Sequence, residues 1–228
     1  MLRLFKYLFL IFIYSVNCSS LSITKSKASD ILSTNEADCH LPQCDKVDVA
    51  QSMDDVALEP TIPSFNIPPA DYILKADYSY IDTNKLVSSK RLITALKFYE
   101  FNLNQISNQR YITTVDFSKH SNERRLFLID MITGEVLPLL TTLGRFSDLD
   151  NDGYAESFSN EIGSNMSSLG FYLTGQEYLG VNGRSMRLHG LSTTNSNAFA
   201  RSIVVHGADY VSELLNYAGR SLGCPALD

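Results

Sequence analysis

No apolar run in this 228-residue chain is long enough to span a bilayer: the longest, Tyr7 to Val16, covers about half of the roughly 20 residues a spanning helix needs. Cations are not in excess, since 19 Lys and Arg face 25 Asp and Glu for a net charge of −6. That balance excludes a duplex or polyphosphate partner held by charge neutralisation. Internal repeats are absent. No Gly-x-Ser-x-Gly elbow surrounds Ser167 and Ser168, so a serine nucleophile is not indicated and the pair reads as a structural turn. His40, His120 and His189 share no ligand spacing, and Cys39-His40 fits neither a haem nor a zinc pattern. We therefore expect no metal and no cofactor.

What is present points to one folded domain behind a leader. Hydrophobic residues make up 44% of the chain and charged ones 19%, enough apolar material for a sizeable core and unlike a disordered tail, a collagen or a coiled coil. Arg3 and Lys6 precede the short apolar run, and small or polar residues follow it. This is the pattern of a secretory signal over residues 1–20, cleaved near Cys18 to Ser20; Asn17 makes a poor lipid-attachment context for Cys18. The mature protein is then expected in the periplasm or cell envelope, with no membrane span. Five of the seven prolines (Pro42, Pro60, Pro63, Pro68, Pro69) lie in residues 21–70 among Ser and Asp, marking a poorly ordered leader.

Residues 71–228 read as mainly β with a few helices. Leu92, Leu96, Tyr99, Leu103 and Ile106 step by one helical face, with Asp82 or Thr83 as the cap. Strand-like runs follow at 111–117, 125–131, 135–140, 170–174, 185–191 and 202–207, and 208–218 turns helical again. Asp148, Asp150, Asp152, Gly153 and Glu156 resemble the first half of a calcium loop, but Ser159 stands where a bidentate acid is required. A solvated acidic turn is the better reading.

Cys39 and Cys44 can close a small loop in an oxidising compartment, which leaves Cys224 as the odd thiol. A lone thiol is more often a packing group than a nucleophile. The setting of Cys224 changes this: in Gly219-Arg220-Ser221-Leu222-Gly223-Cys224-Pro225 glycine lets backbone amides approach a reacting carbonyl as an oxyanion hole. His206 ends an apolar strand and is followed by Gly207, a rigid place for a base. A helix and turn between them would return the imidazole to the sulfur as a Cys–His pair.

These residues resemble the murein L,D-transpeptidase catalytic-domain family, whose signature of His-Gly followed by Ser-x-Gly-Cys appears here as His206-Gly207 and Ser221-Leu222-Gly223-Cys224. VDFSKHSNERRLFLIDMITGEV (115–136), FSN (158–160), SSLGFYLTGQEY (167–178), RLHGL (187–191) and GRSLGCP (219–225) extend the resemblance over about residues 70–228. It implies an L,D-transpeptidase-like β-sandwich or barrel preceded by the amphipathic helix. Cys224 is implied as nucleophile, His206 as general base, the amides of Gly223 and Cys224 as oxyanion donors, and Ser221, with its hydroxyl, and Gly207 as supporting residues. The implied partner is a peptidoglycan stem peptide, attacked at the L-centre of diaminopimelate and passed to an amine. Water as acceptor would make an L,D-carboxypeptidase, and loss of activity a wall-binding module. A papain-like protease is disfavoured, because the cysteine follows the histidine. This chain departs from the pattern in having Pro225-Ala226 where many relatives have an Arg, with Arg220 as a substitute substrate contact. Leu143 stands in place of a His and His189 in place of an acid. Relatives continue beyond the position of Asp228 through another helix and strand, so the domain is expected to be truncated.

Overall fold

The computed structural model describes residues 11–14, 60–214 and 219–228, the first of these as backbone. The expectations for Cys18, for the Cys39–Cys44 pair and for most of the leader lie outside them. Ten strands and one α-helix make up the described fold: β1 (Ile11–Tyr14), α1 (Ser89–Phe101), β2 (Tyr111–Val115), β3 (Leu126–Asp130), β4 (Val136–Leu139), β5 (Leu143–Gly144), β6 (Phe171–Gly180), β7 (Gly183–Gly190), β8 (Val204–Gly207), β9 (Arg220–Ser221) and β10 (Ala226–Leu227). Each of the six strand-like runs in the sequence becomes a strand.

The main sheet has the order β10-β8-β7-β6-β1-β2-β3-β4, and β5 pairs with β9 separately. The mainly β class with a helix stands. The sheet is open, with β10 and β4 at its ends, and does not close into a barrel. Pro138 sits on β4, where an end strand tolerates the missing N–H.

Alternation along β3 builds two cores. Leu126 and Leu128 face a cluster with Val115, Tyr172, Leu188 and Val205, whereas Phe127 and Ile129 face Ile112 and the helix residues Ala95, Leu96 and Phe98. Successive strand residues point to opposite faces, so α1 covers one face and the other is left for the site. Asp116, just past β2, clamps the helix: Arg91 donates to both of its carboxylate oxygens, at 2.6 and 2.7 Å, with both side chains buried.

Two sequence expectations are corrected. The helix starts at Ser89, not near Asp82, because Asp82 has φ +54, a left-handed conformation through which no right-handed helix runs. Its carboxylate instead accepts the Leu86 and Val87 N–H groups at 2.8 and 2.9 Å, closing the turn before the helix. The 208–218 stretch is not helical over its described residues, 208–214, which form turns. Val211 is drawn into a buried cluster with Leu140 and Ala226, a tertiary contact that overrides helix propensity. Ordered packing also begins before residue 71: Phe65 stacks on Phe98 at 6.2 Å, and Asn66 exchanges two 2.9 Å hydrogen bonds with Asn102.

β1 runs parallel to β2 and antiparallel to β6, so it joins the two halves of the main sheet from within the segment read as an export signal. Among the described residues no helix is long and apolar enough to cross a membrane.

Candidate active site

β8 carries His206 between β7 and β10. Its short partner β10 runs parallel with Ala226 opposite His206; Cys224 precedes that strand, across a turn closed by the Ala226 N–H donating to the Cys224 carbonyl at 3.1 Å. The histidine is thus on a strand and the cysteine in the turn that leads into the strand beside it.

His206 is buried at 3% exposure. Its Nδ1 lies 2.9 Å from the Gly207 carbonyl oxygen. A carbonyl only accepts, so Nδ1 carries the hydrogen and Nε2 keeps its lone pair. Burial lowers the imidazole pKa, against the opposing pull of that hydrogen bond, and the ring is neutral near pH 7.

Cys224 is half-buried and packs against the first core. Its Sγ donates to the Ser202 carbonyl oxygen at 3.7 Å. Burial pushes the thiol pKa up, while the Val204 N–H and the Arg201 charge act in the opposite sense. Among the described residues no hydrogen bond joins the sulfur to His206.

The turn before the thiol is fixed by hydroxyls. Ser221 Oγ accepts the Gly223 N–H at 3.1 Å and lies 2.6 Å from the Cys224 carbonyl oxygen. Thr142 Oγ1 donates to that same carbonyl at 3.0 Å and accepts the Ala226 N–H at 3.1 Å. The Gly223 amide, an expected oxyanion donor, is therefore turned toward Ser221 here. Gly223 has φ +117, and a Cβ there would lie 2.7 Å from the Met166 carbonyl oxygen, so only glycine suits the position.

Arg220 lies 3.8 Å from Asp148 and so faces the acidic loop. There Asp148, Asp150, Asp152 and Glu156 hold their oxygens within 4.8 Å of one another. The Asp148 carboxylate already accepts the Asp152 and Gly153 N–H groups, both at 3.1 Å. Burial, followed by repulsion from Asp148 and Asp150, raises the Glu156 pKa. Leu143 is buried beside the nucleophile turn, opposite Arg220 in β5–β9 pairing. His189 is buried and stacks on Phe199 at 5.3 Å.

Sequence reading missed three neighbours of the sulfur. Ser202, which supplies its acceptor, is left-handed at φ +54. Tyr172 is buried with its hydroxyl 2.5 Å from Ser168 Oγ; burial, against hydrogen bonding from Ser168, leaves its pKa pushed up to about 12. Arg201 holds the loop beneath Gly223. The one cation in Asn197-Ala198-Phe199-Ala200-Arg201-Ser202, a segment otherwise of small, polar and apolar residues, was the available signal for it.

A family model described as L,D-transpeptidase catalytic domain matches residues 83–228, well over half of the chain. No curated protein and no solved structure matches it.

Proposed function

Because the chain belongs to the L,D-transpeptidase catalytic-domain family, whose members act on peptidoglycan, we propose that it is a peptidoglycan L,D-transpeptidase using Cys224 as nucleophile and His206 as base. The observation that supports this reading is the pairing of β8 with β10, in which Ala226, two residues after Cys224, stands opposite the buried His206.

In the proposed reaction the sulfur leaves the Ser202 carbonyl and passes its proton to His206 Nε2. The thiolate attacks the carbonyl carbon of the L-centre of diaminopimelate in a tetrapeptide stem. Rotation of the Gly223 amide away from Ser221 would free it, with the Cys224 amide, to stabilise the oxyanion. Collapse breaks the C–N bond to D-alanine, whose amine takes the proton from His206, and leaves a thioester on Cys224. An amine of a second stem then forms the cross-link and regenerates the thiol. Contacts of this kind tighten when substrate is bound.

Water at the last step would give an L,D-carboxypeptidase. Export, with residues 1–20 as the signal, completes the proposal, and N-terminal sequencing of protein recovered from the cell envelope tests it. A segment that is cleaved away does not also supply β1, so an N-terminus beyond Tyr14 would mean that the mature sheet lacks that strand.

Mass spectrometry of defined stems tests the activity. Tetrapeptides should lose D-alanine and yield a cross-linked dimer or a tripeptide, and pentapeptides should be poor donors. Once the Gly223 amide has turned, the nucleophile and oxyanion donors would accept one hand of the reacting centre. Release of the fifth residue alone would identify a D,D-enzyme. No turnover of either stem by the folded chain would favour a wall-binding role without catalysis.

A further inference from the structure

The nucleophile's ionisation presents a physical difficulty. The thiol donates to a carbonyl that stabilises its protonated form, burial opposes the thiolate, and among the described residues no hydrogen bond joins the imidazole to the sulfur. Of the titratable groups around it, Tyr172 on β6 and Tyr210 after β8 are both shifted upward, chiefly by burial, and stay neutral. His206 on β8 is neutral as well. Besides the Val204 N–H, the group that favours the thiolate is the charged Arg201.

Its position is built from several elements. The guanidinium donates to the Ser159 carbonyl at 2.8 Å, to Ser164 Oγ at 3.3 Å and to the Met166 carbonyl. One of its nitrogens would lie 3.1 Å from a Cβ on Gly223, and the Met166 carbonyl that it clamps is the atom closest to that same point. The next residues extend the contact: Ser167 N–H donates to Ser147 Oγ at 2.9 Å, and Ser167 Oγ accepts the Gly144 N–H at 3.0 Å. Arg201 thus fastens the 159–167 loop as a floor beneath both β5 and the glycine before the nucleophile. Its chain neighbour, Ser202, aims the carbonyl that holds the thiol.

We propose that Arg201 is a positioning residue of the reaction: its guanidinium locks the 159–167 loop under Gly223 and supplies the positive charge that offsets the Cys224 thiolate when the proton leaves. The inference rests on Cys224 being the nucleophile. It assigns the countercharge to a permanent cation, which leaves His206 free to accept the proton as a neutral base. An arginine suits this role because it remains protonated when partly buried and its planar fork serves several carbonyls at once.

The test reads the pH profile of Cys224 alkylation by iodoacetamide, followed by peptide mass mapping, in the full chain. Arg201→Gln, checked for folding by circular dichroism, should move the reactive limb to higher pH and slow alkylation at pH 7 by about tenfold or more. Arg201→Lys, which keeps the charge, should restore most of that rate. A Gln variant with the wild-type profile would overturn the proposal, as would a Lys variant no better than Gln.

A second measurement needs no change at Arg201. Its side-chain ¹⁵N–¹H resonance in the wild-type chain should titrate with the midpoint of Cys224 alkylation and lose that transition in Cys224→Ser. A resonance indifferent to Cys224 would overturn the proposal even if the Gln variant fails to fold. Neither readout uses a stem peptide, so failure here is distinct from failure of the transpeptidase reading.

Discussion

His206 Nδ1 lies 2.9 Å from the Gly207 carbonyl oxygen, and this one contact sets both the tautomer and the direction of the ring. It leaves Nε2 as the basic atom. Because the ring is buried and its pKa is lowered, the folded chain binds this proton less readily than the unfolded chain does. The resulting stability is fully present above the unfolded value of about 6.5 and is lost as pH falls through the lower folded value. Urea midpoints should therefore decline below about pH 6.5, and His206→Gln should flatten part of that decline. A Gln variant with an unchanged slope would mean that His206 does not contribute to it.

Ser221 and Gly223 support the nucleophile by different means. Removal of the hydroxyl in Ser221→Ala strands the Gly223 N–H and takes one donor from the Cys224 carbonyl, a cost of about 1–3 kcal/mol for buried polar groups. Gly223→Ala forces a side chain into a left-handed position against the Met166 carbonyl and should cost at least as much, on the order of 1–3 kcal/mol from strain alone. Urea denaturation checks both, and a Gly223→Ala chain as stable as wild type would contradict the tight packing described beneath the thiol.

The Arg91–Asp116 pair ties α1 to the end of β2 with both side chains buried. Asp116→Ala leaves the guanidinium without its countercharge and should destabilise the chain by about 3–5 kcal/mol. Replacing both members with apolar residues of similar size should cost less than the single change. Melting temperatures of the two variants distinguish these outcomes.

The strands were legible in the sequence because Leu126 to Ile129 and Val204 to Val205 combine apolar, partly β-branched runs with nearby turns, as strands buried on both faces do. The start of α1 was not. Asp82 is a good capping residue by type, and only its left-handed backbone reveals that it closes an earlier turn. The 208–218 stretch misled in the opposite way, since the propensity of its apolar residues gave way to burial of Val211 beside Ala226. At the site, Cys224 and His206 were visible from their glycine-bounded motifs. Arg201, Ser202 and Tyr172 were not, because what makes them neighbours of the sulfur is backbone direction and strand pairing over distances that spacing does not encode. The same holds for the Gly223 amide: its motif suggested an oxyanion donor, whereas its orientation toward Ser221 Oγ depends on a turn seen only in three dimensions.

Turnover of a defined tetrapeptide stem by the wild-type chain and by Cys224→Ala, followed by mass spectrometry of both the peptide and the intact protein, tests the central claim most directly. The wild type should release D-alanine and carry the tripeptide acyl group as an adduct that maps to Cys224. The Ala variant should keep the fold, form no adduct and lose turnover by several orders of magnitude, as expected when an attacking nucleophile is removed. Turnover at the wild-type rate in Cys224→Ala, or an adduct mapping to any other residue, would contradict the account.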